Sequence, residues 1–129
     1  MATNPYRNAA LFRAELRRFL RQSEQCARDH GITPRQYLLL LQIAGAEEST
    51  TTISALVETL SLTQSAVTEL VQRAEQSGYV QREGSKTDGR VVHLTLTALG
   101  AEKLSTIHGA LGPERAQLRR VVEEALSAS

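Results

Sequence analysis

Residues 52–96 read TISALVETLSLTQSAVTELVQRAEQSGYVQREGSKTDGRVVHLTL, and this stretch decides the fold. Apolar residues at Ile53, Leu56, Val57 and Leu60 follow the i, i+3, i+4, i+7 spacing of one helix face. Val67, Leu70, Val71 and Ala74 repeat it. Only Ser61, Leu62 and Thr63 lie between, which predicts a sharp corner between two helices. Gly78 follows as a left-handed stop. Two strands are predicted next, Tyr79–Glu83 and Val91–Leu96. In the second, Val92, Leu94 and Leu96 alternate with His93 and Thr95, the period of a half-buried strand. The connecting loop, Gly84 to Arg90, carries turn residues and two cations, Lys86 and Arg90. A helix-turn-helix followed by a β-hairpin is a winged helix. It can place one helix in a major groove with the hairpin tip beside it.

Working outward, Ala9 to His30 predict a first helix, with Phe12, Leu16, Phe19, Leu20, Ser23 and Ala27 on one face. Arg13, Arg17, Arg21, Glu24 and Arg28 line the neighbouring face, either solvated or set against phosphates or a partner. Gly31 ends that helix. Thr33, Pro34 and Gln36 predict a capping box opening a second one. Its Tyr37, Leu38, Leu40, Leu41 and Ala44 make it apolar nearly all round, as a central core helix would be. Gly45 to Thr51 predict a polar loop, with a short extra strand near Thr51 to Ile53 pairing with the wing. Thr52 and Thr97 are positioned as helix caps. Gly109, Gly112 and Pro113 predict a break before a last amphipathic helix striped by Leu118, Val121, Val122 and Ala125. That stripe needs a surface, either the first helix or a second subunit.

The 129 residues predict one domain with a modest, aliphatic core, since aromatics are 4% and Trp is absent. No apolar run approaches a membrane span, and the N-terminus has no signal-peptide pattern. One Cys excludes an intrachain disulfide and suits a reducing cytoplasm. Net charge is +1, which neither announces nor excludes a nucleic-acid partner. Residues 1–35 hold seven Arg against three acids, while residues 50–96 hold four cations against five acids. Selected cations on one face must therefore do any DNA binding by the head.

Cys26 and His30 form an i, i+4 pair that could be a thiolate–imidazole dyad. Their place at the edge of an apolar face near a helix end fits a packed Cys and His better. There is no Gly-rich anion loop and no oxyanion candidate. His30, His93 and His108 lack ligand spacing. No catalytic residue, cofactor or metal is expected.

The order of the pieces resembles the multiple antibiotic resistance regulator (MarR) family. The likeness rests on Leu62 to Arg73, Gly78-Tyr79-Val80-Gln81-Arg82, Asp88-Gly89-Arg90, Leu94 to Gly100, and upstream Thr33 to Tyr37. Its most specific part is the Asp-x-Arg wing placed before the turn into a helix. The resemblance implies a homodimeric DNA-binding transcriptional regulator, often released from DNA by small aromatic ligands. It divides the single domain into a DNA-binding head, residues 32–96, and dimerisation helices, residues 1–31 and 97–129. The C-terminal region is short for the family. Relatives that sense peroxide carry Cys near the start of the first helix, whereas Cys26 is near its end.

The expected DNA contacts are Thr63, Gln64, Ser65, Thr68, Gln72 and Arg73 on the reading helix, with Lys86 and Arg90 on the wing. Gln can read adenine bidentately, and Ser and Thr can bond base edges or phosphates. Asp88 is expected to fix the wing, by a turn hydrogen bond or a salt bridge to Arg73. Glu69 departs from relatives, which commonly carry Arg or Lys there; a carboxylate can accept from cytosine N4 but repels phosphate. Leu118, Val121, Val122 and Ala125 are expected at the dimer interface. Phe12, Phe19, Tyr37 and Leu41 are candidates to line an effector pocket, though each also reads as plain core. The leading expectation is a cytoplasmic repressor on a pseudo-palindromic operator, released by a small aromatic effector. The alternative is a winged-helix protein–protein module with DNA binding weakened or lost, motivated by Glu69 and the acidic balance of the head.

Overall fold

The computed structural model describes residues 4–84 and 91–127. The element order is α1 (Arg7–Asp29), α2 (Pro34–Gly45), a 3-10 turn (Glu47–Ser49), α3 (Ile53–Leu60), α4 (Gln64–Gln76), β1 (Val80–Gly84), β2 (Val92–Leu96), α5 (Ala98–Ala110) and α6 (Gly112–Ser127). It is a mainly α fold with a small antiparallel hairpin, in which Val80 pairs with Leu96 and Gly84 with Val92. The architecture is a winged helix-turn-helix with further helices before and after it.

Local chemistry sets most helix ends. The hydroxyls of Thr33, Thr52, Thr63 and Thr97 accept hydrogen bonds from the backbone N–H of Gln36, Ala55, Ala66 and Gly100, each three residues on. Gly31 and Gly78 have φ of +82° and +81°, which only Gly adopts without cost. Around Gly78, Tyr79 N–H donates to Ala74 C=O and Gly78 N–H to Glu75 C=O. This pair of bonds satisfies carbonyls that the helix end would otherwise orphan.

α2 is the hub, packed against α1, α3, α4, α5 and β2. It buries Tyr37, Leu39, Leu40 and Ile43. Its apolar circumference hides its phase in the sequence, and Leu38, expected in the core, is exposed. The expected extra strand is a single bridge, Thr51 with Leu94, bonded in both directions at 3.2 and 2.7 Å. That bridge ties the wing to the start of α3. Leu94 is fully buried, Leu96 is partly buried and packs on the core, and Val92 is exposed. The sheet face is thus narrower than its alternation suggests.

α1 differs most from expectation. It buries Ser23 and Ala27 as expected but also turns Glu15 inward, while Leu16 and Leu20 are exposed and Phe12 is only half-buried. The cause is α6, which packs along α1. Glu15 accepts from Arg18, whose Nη1 reaches Glu114 of α6 at 2.6 Å. The hydrogen bond from Arg18 holds the Glu15 carboxyl below the ordinary range, against the opposing pull of burial, so it is ionised at neutral pH. A buried carboxylate with its half-buried guanidinium partner occupies the seam that the apolar row was expected to fill. The stripe of α6 is partly covered by the same packing: Ala125 is buried and Leu118, Val121 and Val122 are intermediate. Gly109 lies inside α5 rather than breaking it, and Gly112 opens α6 just before Pro113.

The start of α5 presses against the end of α4. Thr97 donates its hydroxyl to Gly78 C=O and its backbone N–H to Tyr79 C=O. A β-carbon on Gly100 would stand 2.1 Å from the Tyr79 carbonyl oxygen, too close for any side chain. Gly100→Ala should therefore cost about 1–3 kcal/mol through forced displacement. Gly109→Ala, with nothing within 4 Å, should gain about 0.5–1 kcal/mol from helix propensity. Urea midpoints of the two variants should move in opposite directions; a Gly100→Ala midpoint at or above wild type would contradict the close approach.

Candidate nucleic-acid interface

α3 and α4 meet at a corner whose pivot is Ser61, in the left-handed region at φ 53°, ψ 44°. Ser61 N–H bonds Glu58 C=O and Leu62 N–H bonds Val57 C=O. This is the cap that Gly usually makes, here with a β-carbon that costs about 1–2 kcal/mol. Thr63 then caps α4 and fixes its first turn.

The orientation of α4 follows from its buried face. Val67, Val71 and Ala74 are fully buried and Leu70 nearly so. The opposite face carries Gln64, Ser65, Glu69, Gln72 and Arg73, all exposed, with Thr68 half-buried. Five of the six expected reading-helix residues are thus brought to one polar surface about 14 Å long. Thr63, the sixth, lies at its start with its oxygen committed to the cap, leaving its proton to donate. Lys86, Asp88 and Arg90 lie outside the described residues. Arg73, considered as a partner for Asp88, pairs with Glu69 at 2.6 Å. Arg82 of β1 pairs with Glu75 of α4 at 2.9 Å, bracing the hairpin against α4.

A groove of about 400 Å³ runs between the start of α2 and α4, lined by Thr33, Arg35, Gln36, Ala66, Glu69 and Arg73 among others. Arg35 is exposed and stands beside the polar face of α4. It was missed as a site residue from sequence because α4 and the first turn of α2 are some thirty residues apart. The available signal was its place two residues after the cap Thr33.

The four effector-pocket candidates do not come together in one cavity among those described. Phe12 lines a shallow 230 Å³ groove on α1 with Arg13, Leu16, Arg17 and Leu20. Tyr37 is buried in the core, Leu41 packs against it, and Phe19 is half-buried on α1. Burial pushes the Tyr37 phenol upward. Cys26 Sγ lies 3.7 Å from His30 Nδ1, but that nitrogen is 2.8 Å from the Cys26 carbonyl oxygen. Burial, then the charge of Asp29, pushes the thiol up, which disfavours the thiolate. No group of three or more potential metal ligands occurs among the described residues.

Residues 30–91 match the family model described as MarR family. No curated protein matches the chain. Among solved structures, a mutant MarR from E. coli complexed with operator DNA has TM-score 0.73 at 20% identity, covering 98% of this chain and 93% of that one. A mutant MepR from S. aureus bound to an oligodeoxyribonucleotide has TM-score 0.71 at 18% identity, with 93% and 96% covered. The YusO protein from Bacillus subtilis has TM-score 0.63 at 26% identity, with 90% and 82% covered.

The cap and the polar face of α4 separate by mutation. Thr63→Ala should lower stability by about 1 kcal/mol through loss of the cap. Gln72→Ala, on the exposed face, should change it by less than about 0.5 kcal/mol. Thermal melts of the two variants check this, and equal losses would contradict the assignment of faces.

Proposed function

We propose, from the match of residues 30–91 to the MarR family model, that the chain is a MarR family member and a homodimeric transcription regulator that binds double-stranded DNA. The observation that carries the reading is α4 itself. Its apolar stripe is wholly absorbed by the core, and its polar face stands free between a tight helical corner and a hairpin. Gln64 and Gln72 suit adenine edges; Ser65, Thr68 and Thr63 suit base edges or phosphates. On the wing, Lys86 meets a phosphate and Arg90 enters the minor groove, where a planar guanidinium fits a narrow, strongly negative cleft. Asp88 fixes the wing for that purpose. The protein binds rather than catalyses, and it acts in the cytoplasm, where its DNA would be. No helix among the described residues is long and apolar enough to cross a membrane.

Dimerisation is supported by the surface of α1. Leu16 and Leu20 are 36% and 49% exposed, two large apolar side chains one turn apart on the helix that α6 packs along. A second copy covers them together with the open parts of Leu118, Val121 and Val122. Ala125 sits beneath, in the packing that supports this surface. Two copies related by a two-fold axis present two α4 helices to half-sites ~10 bp apart, hence a pseudo-palindromic operator. The regulator is a repressor, and a small aromatic acid or phenol releases it by changing the spacing of the heads. The candidate residues for such an effector are Phe12 and Phe19 on α1 and Tyr37 and Leu41 on α2.

One observation favours a second reading, a protein–protein module. Arg73 and Arg82 are each held by a carboxylate, so the described head offers little unopposed positive charge. A gel shift at low salt against the intergenic DNA upstream of its own gene and against genomic fragments separates the two. The regulator binds a discrete fragment, and binding to none favours the module. Arg90→Ala should weaken the operator complex by roughly 1–3 kcal/mol per site and flatten its salt dependence, with little change in melting temperature. For assembly, wild type should sediment as a dimer at micromolar concentration. Val121→Glu with Val122→Glu should give monomer or unfolded chain; a folded wild-type monomer would contradict the dimer.

A further inference from the structure

The DNA-facing surface of α4 contains a carboxylate where a cation would be electrostatically favourable. Glu69 and Arg73 are one helical turn apart, the spacing at which side chains meet, with the acid on the N-terminal side as helix pairs prefer. Glu69 Oε1 and Arg73 Nη2 are 2.6 Å apart, a short charge-assisted bond. The two side chains are 62% and 65% exposed, so neither is tied to the core and both remain open to a ligand. Both line the same groove as Arg35.

This geometry has two consequences. The pair is net neutral, so it gains little from the field of the phosphate backbone. An unpaired arginine on the same helix would swing toward a phosphate. The guanidinium also has five N–H donors, and the bond to Glu69 uses Nη2. Enough donors remain for a two-acceptor partner, on a side chain that the carboxylate orients along the helix. A directed, neutralised guanidinium matches an uncharged edge with two acceptors. The major-groove edge of guanine, with O6 and N7, is that edge.

Resting on the DNA-binding reading above, we propose that Glu69 is a positioning residue for sequence specificity: it holds Arg73 so that the guanidinium reads a guanine in the major groove instead of tracking a phosphate. The carboxylate lowers general affinity for DNA, and the return is discrimination at one base of each half-site.

The test is selection of bound duplexes from a random pool by the full chain, with wild type, Glu69→Gln and Arg73→Ala, followed by salt titrations on the selected duplex. Wild type should prefer guanine at one position per half-site by roughly 5-fold or more, the range expected of a bidentate contact. Arg73→Ala should lose that preference alone. Glu69→Gln should bind a random duplex more tightly and lose most of the same preference. Its log–log salt slope should steepen by about 1 as Arg73 is released to phosphate. Unchanged melting temperatures show that neither variant acts through folding. If wild type binds DNA but shows no such guanine, or if Glu69→Gln keeps the preference and the slope, the proposal is overturned while the DNA-binding reading stands. If wild type binds no duplex, that reading falls and this proposal with it.

Discussion

The packing of the apolar face of α4 onto α2 is the constraint on which the rest of the molecule depends. Val67, Val71 and Ala74 reach full burial, as do Leu39, Leu40 and Ile43 on the helix they pack against. A helix turns by about 100° per residue, so burying this stripe leaves one choice for the opposite face. Slipping the stripe by a single residue would put Thr68 or Gln72 into the core and turn a valine outward. The direction in which Gln64, Ser65 and Gln72 point is therefore decided by aliphatic packing and needs no ligand.

The supports around α4 act on its position rather than its rotation. The Ser61 corner sets where it starts, the Gly78 cap where it stops, and Thr97 binds that stop to α5. The Thr51–Leu94 bridge and the Arg82–Glu75 pair hold the hairpin to the same body. α4 and the root of the hairpin are thus tied into one packed body. The α1–α6 layer joins this unit mainly through α2 and α5. Under the proposed function, that division lets a change between the dimerisation helices alter the distance between heads without altering either head.

Much of this was legible in the sequence, for physical reasons. Threonine caps depend on the next three residues, and the stripes of α3 and α4 are local periodicities, so both could be read directly. Features set by a distant segment could not. Spacing along α1 pointed Leu16 and Leu20 inward with Ser23 and Ala27, but the packing of α6 rotates the buried face toward Glu15. In α2 the run of leucines carries no phase, which is why Leu38 was expected inside and Leu39 was not. The hairpin alternation overstated the burial of Val92. In the site, the polar face of α4 was legible residue by residue, whereas its electrostatics were not. The Glu69–Arg73 pair depends on rotamers, and Arg35 reaches the surface only through tertiary packing.

Under the proposed function, the free face of α4 is the surface that meets DNA. The most direct measurement follows the side-chain amide NMR signals of Gln64 and Gln72 while an operator duplex is titrated in at about 0.1 M salt, where nonspecific electrostatic binding is reduced. The account predicts that both signals shift and saturate at one dimer per duplex, while amides of the α5 interior around Leu104 and Ile107 stay in place. Saturable binding that leaves Gln64 and Gln72 unmoved and shifts α1 instead would contradict it.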